Sequence, residues 1–225
     1  MELLQNGPAD GPVYVFAHGA GADMNSDFMA QVAATLAEKG VRVVRFNFPY
    51  MIKRAEDGKR RPRDRGPKLL MAFEEVIRQL NCPLVIGGKS MGGRMSSLLL
   101  AENALRNSSD RLPILGSACF GFPFHAPKKA PKDRLDHLKN LAEPLLVVQG
   151  TRDAMGTQAD VAGYFAEERI NSSIQVNWLE DGDHDLKPRK VSGFTHQQHI
   201  YAAIEQVAEF VFELNGFNQA SNLSG

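Results

Sequence analysis

The chain has 225 residues, 43% of them apolar, and its 26 basic and 26 acidic residues cancel. That length and apolar share suit one α/β domain, and the balanced charge removes the bulk attraction to phosphate backbones that nucleic-acid binding needs. No apolar run approaches the roughly 18 residues of a membrane span, and Met1 to Asp10 lack a signal peptide's basic start and apolar stretch, so the expected location is the cytoplasm, with no membrane or nucleic-acid partner.

Short β-branched runs alternate with longer stretches of helical period, the pattern of parallel strands joined by crossover helices. The expected class is α/β: a mostly parallel sheet with helices on both faces. Glu2 to Gln5 is the only candidate for an N-terminal edge strand, so the fold is expected to be short on that side. Val13 to Ala17 (VYVFA) is the first clear strand and ends in His18-Gly19-Ala20-Gly21. Asn25 to Lys39 follows as a helix with Phe28, Val32 and Leu36 on one face and Gly40 as its stop. Val41 to Phe48 is a strand ended by Pro49.

Between Met51 and Leu69 lie Lys53, Arg54, Lys59, Arg60, Arg61, Arg63, Arg65 and Lys68, opposed by Glu56, Asp57 and Asp64. This segment is expected to be a loop. It is either solvated filler or, through Arg60, Arg61 and Arg63, a substrate rim that favours acidic molecules. Pro67 to Leu80 is helical with Leu70, Phe73, Ile77 and Leu80 as its buried stripe. The alternation continues with a strand at Pro83 to Gly87, a helix at Met91 to Leu105 and a strand at Ile114 to Phe120. No insertion long enough for a cap domain follows Phe120. Next come a short helix at Arg134 to Leu141, a strand at Leu145 to Gln149, a helix at Gln158 to Glu168, a strand near Ile174 to Leu179 and a helix from about His196 to Leu214. Residues 1–216 are read as one domain and Phe217 to Gly225 as a frayed tail. Cys82 and Cys119 lie at the edges of apolar runs without metal-ligand spacing and are expected as reduced thiols; no metal or cofactor is expected.

Gly88-Lys89-Ser90-Met91-Gly92 is a G-x-S-x-G pentapeptide, common on its own but set here between an apolar strand and an apolar-striped helix. In that turn a serine takes a strained conformation, and the residues two before and two after it come too close for a Cβ; Gly88 and Gly92 meet that demand. Ser90 then stands at a helix N-terminus, with Met91 N–H as one expected oxyanion donor. A phosphate-binding loop ending in Gly-Lys-Ser would need glycine at Pro83, and a dinucleotide fingerprint from Gly19 would need glycine at Met24, so neither fits. A second oxyanion donor is expected from the loop after the adjoining strand and assigned to Ala20 N–H, with Gly19 and Gly21 as alternatives. His18 is read as organising that loop at the substrate rim.

Asp153 follows the Leu145 to Gln149 strand and His184 follows the last strand, so Ser90, Asp153 and His184 stand in the order and strand-end positions of a Ser-Asp-His triad. His184 is the expected base and Asp153 the residue that orients it. His196 and His199 are fallback bases and Asp160 a fallback acid. Asp181, Asp183 and Asp185 flank His184, either raising its pKa or serving as loop and cap residues.

The stretches FAHGAGADMNSDFM, RFNFPY with the arginine-rich segment, GGKSMGGRMSS, VVQGTRD and DGDHDLKP resemble the small α/β hydrolases related to dienelactone hydrolases. Within these they resemble the group containing a testis-expressed hydrolase-like protein and a subunit of a chromatin acetyltransferase complex. The resemblance implies the α/β-hydrolase fold and the same three catalytic residues, and makes Arg94 part of an extended elbow pattern. A serine stands where dienelactone hydrolases carry cysteine. The expected activity is hydrolysis of a small-molecule carboxylic ester or thioester through an acyl-Ser90 intermediate, with a peptidase or amidase as a variant of that mechanism. The competing reading is a catalytically idle protein-interaction scaffold.

Overall fold

Runs such as VYVFA are apolar on both sides, so they need helices on both faces of a sheet to keep them dry. The computed structural model describes residues 1–216; the tail expected to fray lies outside the described residues. The strands are β1 (Leu3–Asn6), β2 (Val13–Ala17), β3 (Arg42–Phe46), β4 (Leu84–Lys89), β5 (Ile114–Phe120), β6 (Leu145–Gly150) and β7 (Gln175–Leu179), in the spatial order β1-β3-β2-β4-β5-β6-β7. β1 pairs antiparallel with β3 and the remaining neighbours are parallel. The candidate N-terminal strand therefore forms and closes that edge.

The helices are α1 (Asp27–Glu38), α2 (Pro49–Asp57), α3 (Gly66–Leu80), α4 (Met91–Ala104), α5 (Asp136–Lys139), α6 (Gln158–Ala166) and α7 (His196–Leu214). Strand side chains alternate between two cores. Val13, Val15, Ile86 and Val147 pack with α3, α4 and α6, whereas Tyr14, Phe16, Val85 and Val148 pack with α1 and α7. The buried stripe of α3 turns slightly from the expected one: Leu69, Ala72, Phe73, Val76 and Ile77 are buried and Leu70 is half-buried. Cys82 and Cys119 carry free thiols, and no helix among the described residues is long and apolar enough to cross a membrane.

The expected loop from Met51 to Leu69 is corrected: its first part belongs to α2, whose Tyr50 and Met51 are buried, and only 58–65 run outside a helix. The many charges hid the short amphipathic period. Pro49 in the first turn and Gly58, in the left-handed conformation at the helix end (φ 68°), were the readable signals.

The winding sets the site. α1 carries the chain from β2 to β3, and α2 and α3 carry it back past β2 to β4, so the direction of winding reverses between β2 and β4. Loops leaving the carboxyl ends of two such strands diverge to opposite faces and leave a crevice. There β4 turns into α4 at Ser90, whose φ of 52° and ψ of −111° are strained for any residue with a Cβ. The turn is so tight that a Cβ on Gly88 would lie 2.6 Å from Ala17 O, and one on Gly92 2.7 Å from Ala17 C and 2.8 Å from His18 O.

Gly92→Ala is expected to cost at least about 2 kcal/mol in urea unfolding, because the obstruction is backbone and cannot step aside. Gly163→Ala, in open space within α6, is expected to gain about 0.5–1 kcal/mol from helix propensity. Equal effects of the two would contradict the packing described for the turn.

Candidate active site

Ser90 reaches the crevice because its backbone is held at both ends: its N–H donates to Phe120 O (3.0 Å) and its carbonyl accepts from Arg94 N (3.0 Å). Its Oγ lies 2.8 Å from His184 Nε2, and His184 Nδ1 lies 2.8 Å from Asp153 Oδ2. The structure thus brings the three residues expected from the sequence into one hydrogen-bonded chain, drawn from the carboxyl ends of β4, β6 and β7.

Asp153 is fully buried, and its oxygens are satisfied from three sides. Oδ2 also accepts from Gln149 Nε2 (2.8 Å), and Oδ1 accepts from Met155 N–H (2.7 Å). A carboxylate can only accept, so Nδ1 of His184 is the donor, which leaves Nε2 free to accept from the Ser90 hydroxyl. Gln149 was missed by sequence reasoning. Its amide bridges Asp153 to the Phe122 backbone, and a polar residue closing the apolar run LLVVQ was the available signal.

His184 is positioned through its own backbone. Lys89 Nζ donates to His184 O (2.5 Å) and pairs with Asp185 Oδ1 (3.2 Å). Burial pushes the Lys89 pKa down, with Asp185 opposing the shift. Gly121, with φ 60°, admits this contact, since a Cβ there would meet His184 O at 2.5 Å and Lys89 Nζ at 2.9 Å. The fallback bases sit behind the same loop: His196 Nε2 is 2.8 Å from Asp185 O and His199 Nδ1 is 2.9 Å from Leu186 O. Neither meets Ser90. Asp160 closes the capping box of α6 with Thr157 and contacts His125, away from His184. The flanking acids serve as loop anchors. Hydrogen bonds from Arg189 hold the Asp181 carboxyl down to about 2, and Asp183 Oδ1 accepts from the Asp185 and Lys187 amides.

On the opposite side of the crevice, His18 is fully buried. It is not a rim residue, which corrects that part of the expectation: both ring nitrogens are spent on backbone. Nε2 must accept from Phe48 N–H (3.1 Å), so Nδ1 is the protonated nitrogen and donates to Gly19 O (2.7 Å). Tyr50 Oη donates to Ala20 O (3.1 Å); burial pushes its pKa up to about 12, with Arg63 opposing. All peptides are trans, so pinning the Gly19 carbonyl turns the Ala20 N–H the other way. Gly19 backs onto the elbow, where a Cβ would lie 3.8 Å from that of Ser90. The Met91 amide belongs to the first turn of α4, where no intrahelical acceptor exists. Of the three arginines expected at the rim, Arg61 pairs with Asp57, Arg63 is exposed and acts on the charges of Tyr50 and Arg94, and Arg60 is exposed. Among the described residues no group of acidic, His and Cys side chains could hold a metal ion.

Burial lowers the His18 pKa from 6.5 to about 4. The unfolded chain therefore takes up the proton first, and the stability from neutral His18 is complete above pH 6.5 and is lost as pH falls toward 4. Between pH 7 and pH 5, wild type should lose about 2 kcal/mol more than His18→Asn in urea unfolding. Equal losses would show that burial does not lower the His18 pKa in the fold.

Residues 10–212 match the family model described as an alpha/beta hydrolase domain. Among solved structures, the chain superposes on ferulic-acid-bound Est1E from Butyrivibrio proteoclasticus with a TM-score of 0.68 at 15% identity, covering 96% of this chain and 95% of that one. It superposes on a dienelactone hydrolase from Anabaena variabilis with a TM-score of 0.68 at 17% identity, covering 95% and 92%. With the thioesterase domain from the curacin biosynthetic pathway the TM-score is 0.63 at 14% identity, covering 93% and 94%. At these identities the likeness is one of fold, and the family match over nearly the whole chain makes this protein a member of the alpha/beta hydrolase family.

Proposed function

We propose that this protein is a serine hydrolase that cleaves carboxylic esters or thioesters through an acyl-Ser90 intermediate. The observation that carries the reading is the chain from Ser90 Oγ through His184 to buried Asp153, two contacts of 2.8 Å each, at the topological crevice of a hydrolase fold. His184 Nε2 takes the Ser90 proton as Oγ attacks the substrate carbonyl, and Asp153 holds the ring and stabilises the imidazolium. The oxygen that becomes negative is received by Met91 N–H and Ala20 N–H. Collapse expels the alcohol or thiol, protonated by His184. Water activated by the same imidazole then attacks the acyl carbonyl and frees Ser90. Arg60, Arg61 and Arg63 border the approach from the β3 side. Structural neighbours with this fold include Est1E with ferulic acid bound and a thioesterase domain, which supports the reading.

The test is hydrolysis of 4-nitrophenyl acetate and of an acetyl thioester by wild type and Ser90→Ala. Turnover should fall by about 10⁴-fold or more in the variant, while unfolding free energy changes by no more than about 1 kcal/mol. Near wild-type turnover in Ser90→Ala would move the nucleophile elsewhere, and no turnover by wild type with either ester class would favour an idle scaffold.

A further inference from the structure

Arg94 is left over by the mechanism. It sits in the first turn of α4, half-buried, and its Nε is shielded from solvent without a hydrogen-bond partner among the described residues. None of the described ion pairs includes it. The charges that act on it are Arg134, from the 3-10 turn Lys132–Leu135, and Arg63, from the segment between α2 and α3. The one acid that acts with them, Asp133, is exposed. His137 adds no charge at neutral pH, because burial, reinforced by Arg94, pushes its pKa down to about 4, and its Nε2 is spent on Ser97 Oγ (2.9 Å). Two further guanidinium groups, from two other segments, therefore act on Arg94 in the same sense, with Asp133 opposing them. A shielded donor without a partner is itself unfavourable.

Position gives the cluster a purpose. Arg94 N bonds to Ser90 O, so Arg94 lies one turn beyond the serine on the same face of α4, about 6 Å along the helix axis. Side chains on a helix lean toward its N-terminus, which here is the crevice. Arg63 and Arg134 arrive on loops that leave the carboxyl ends of β3 and β5, the same rim as Ser90.

We propose that Arg94, flanked by Arg63 and Arg134, forms an anion subsite that binds a carboxylate or phosphate carried by the ester substrate a few bonds from its scissile carbonyl. This rests on the hydrolase reading and adds the substrate class. A planar guanidinium offers parallel N–H groups to such a group, and an anion there offsets the repulsion that Arg63 and Arg134 exert on Arg94.

Two measurements test it, one of them independent of turnover. In calorimetry, glutarate and inorganic phosphate are titrated separately into wild type, Arg94→Gln and Arg63→Ala/Arg134→Ala. Affinity for the better-bound anion should fall about tenfold or more in Arg94→Gln and should fall in the double variant, more at low salt than at high. The tighter of the two anions identifies the group. In kinetics, the ratio of kcat/KM for mono-4-nitrophenyl glutarate to that for 4-nitrophenyl pentanoate should fall about tenfold or more in Arg94→Gln, chiefly through KM. If Arg94→Gln does not fold, the double variant carries both readings. Anion affinity and ester ratio unmoved by the substitutions would overturn the subsite, whereas a wild type that binds the anion but cleaves neither ester would overturn the hydrolase reading and leave the subsite standing.

Discussion

At Ser90 the chain passes from β4 into α4 with φ 52° and ψ −111°, a conformation that costs on the order of 1–3 kcal/mol and survives only where the surroundings enforce it. The enforcement is tertiary. β4 is the middle strand of the sheet, hydrogen-bonded to β2 and β5 on either side, and Ser90 N–H is tied to the end of β5 through Phe120 O. Gly88 and Gly92 let the first turn of α4 press against the Ala17 and His18 carbonyls at the end of β2. The strain thus aims one hydroxyl outward while drawing the loop after β2 up to it.

Much of the remaining architecture brings partners to that hydroxyl by fixing backbone rather than side chains alone. Lys89, next to Ser90, reaches across to the His184 carbonyl through the gap left by Gly121, so elbow and histidine loop are coupled directly. His196 and His199 hold the following carbonyls from α7, and Arg189 and Arg152 clamp Asp181 at the head of the loop. Gln149 does the same for Asp153. Across the crevice, His18 and Tyr50 pin the Gly19 and Ala20 carbonyls. Ser90, His184 and Asp153 are each held by further hydrogen bonds, which is how a candidate site is preorganised without a ligand present.

What could be read from the sequence follows from which signals are local. β2, β5 and α7 occupy the expected residues because an unbroken apolar run or a long 3.6-residue period leaves little choice. The elbow was legible because its glycines, strand and helix lie within a few residues of Ser90, and Asp153 and His184 because strand ends mark where loops must deliver side chains. α2 was not legible from charge, since Lys53, Arg54, Glu56 and Asp57 are four of its nine residues and mask a two-turn apolar face made by Tyr50 and Met51. Lys89, Gln149 and Tyr50 could not be given their partners from the sequence for a different reason. Their partners lie 95, 4 and 30 residues away, and only the fold decides which carbonyl or carboxylate a buried donor meets. His18 shows the same limit: its place at the start of the loop after β2 was evident, its complete burial and fixed tautomer were not.

The proposed reaction stands on Ser90 being activated by His184. The most direct measurement is reaction of the folded protein with a fluorophosphonate probe, with the modified residue located by peptide mass spectrometry. Stoichiometric labelling at Ser90 is expected in wild type, and labelling slowed by orders of magnitude in His184→Ala of unchanged fold. Absence of labelling in the folded wild type, modification at another residue, or equal rates in His184→Ala would contradict the proposed reaction.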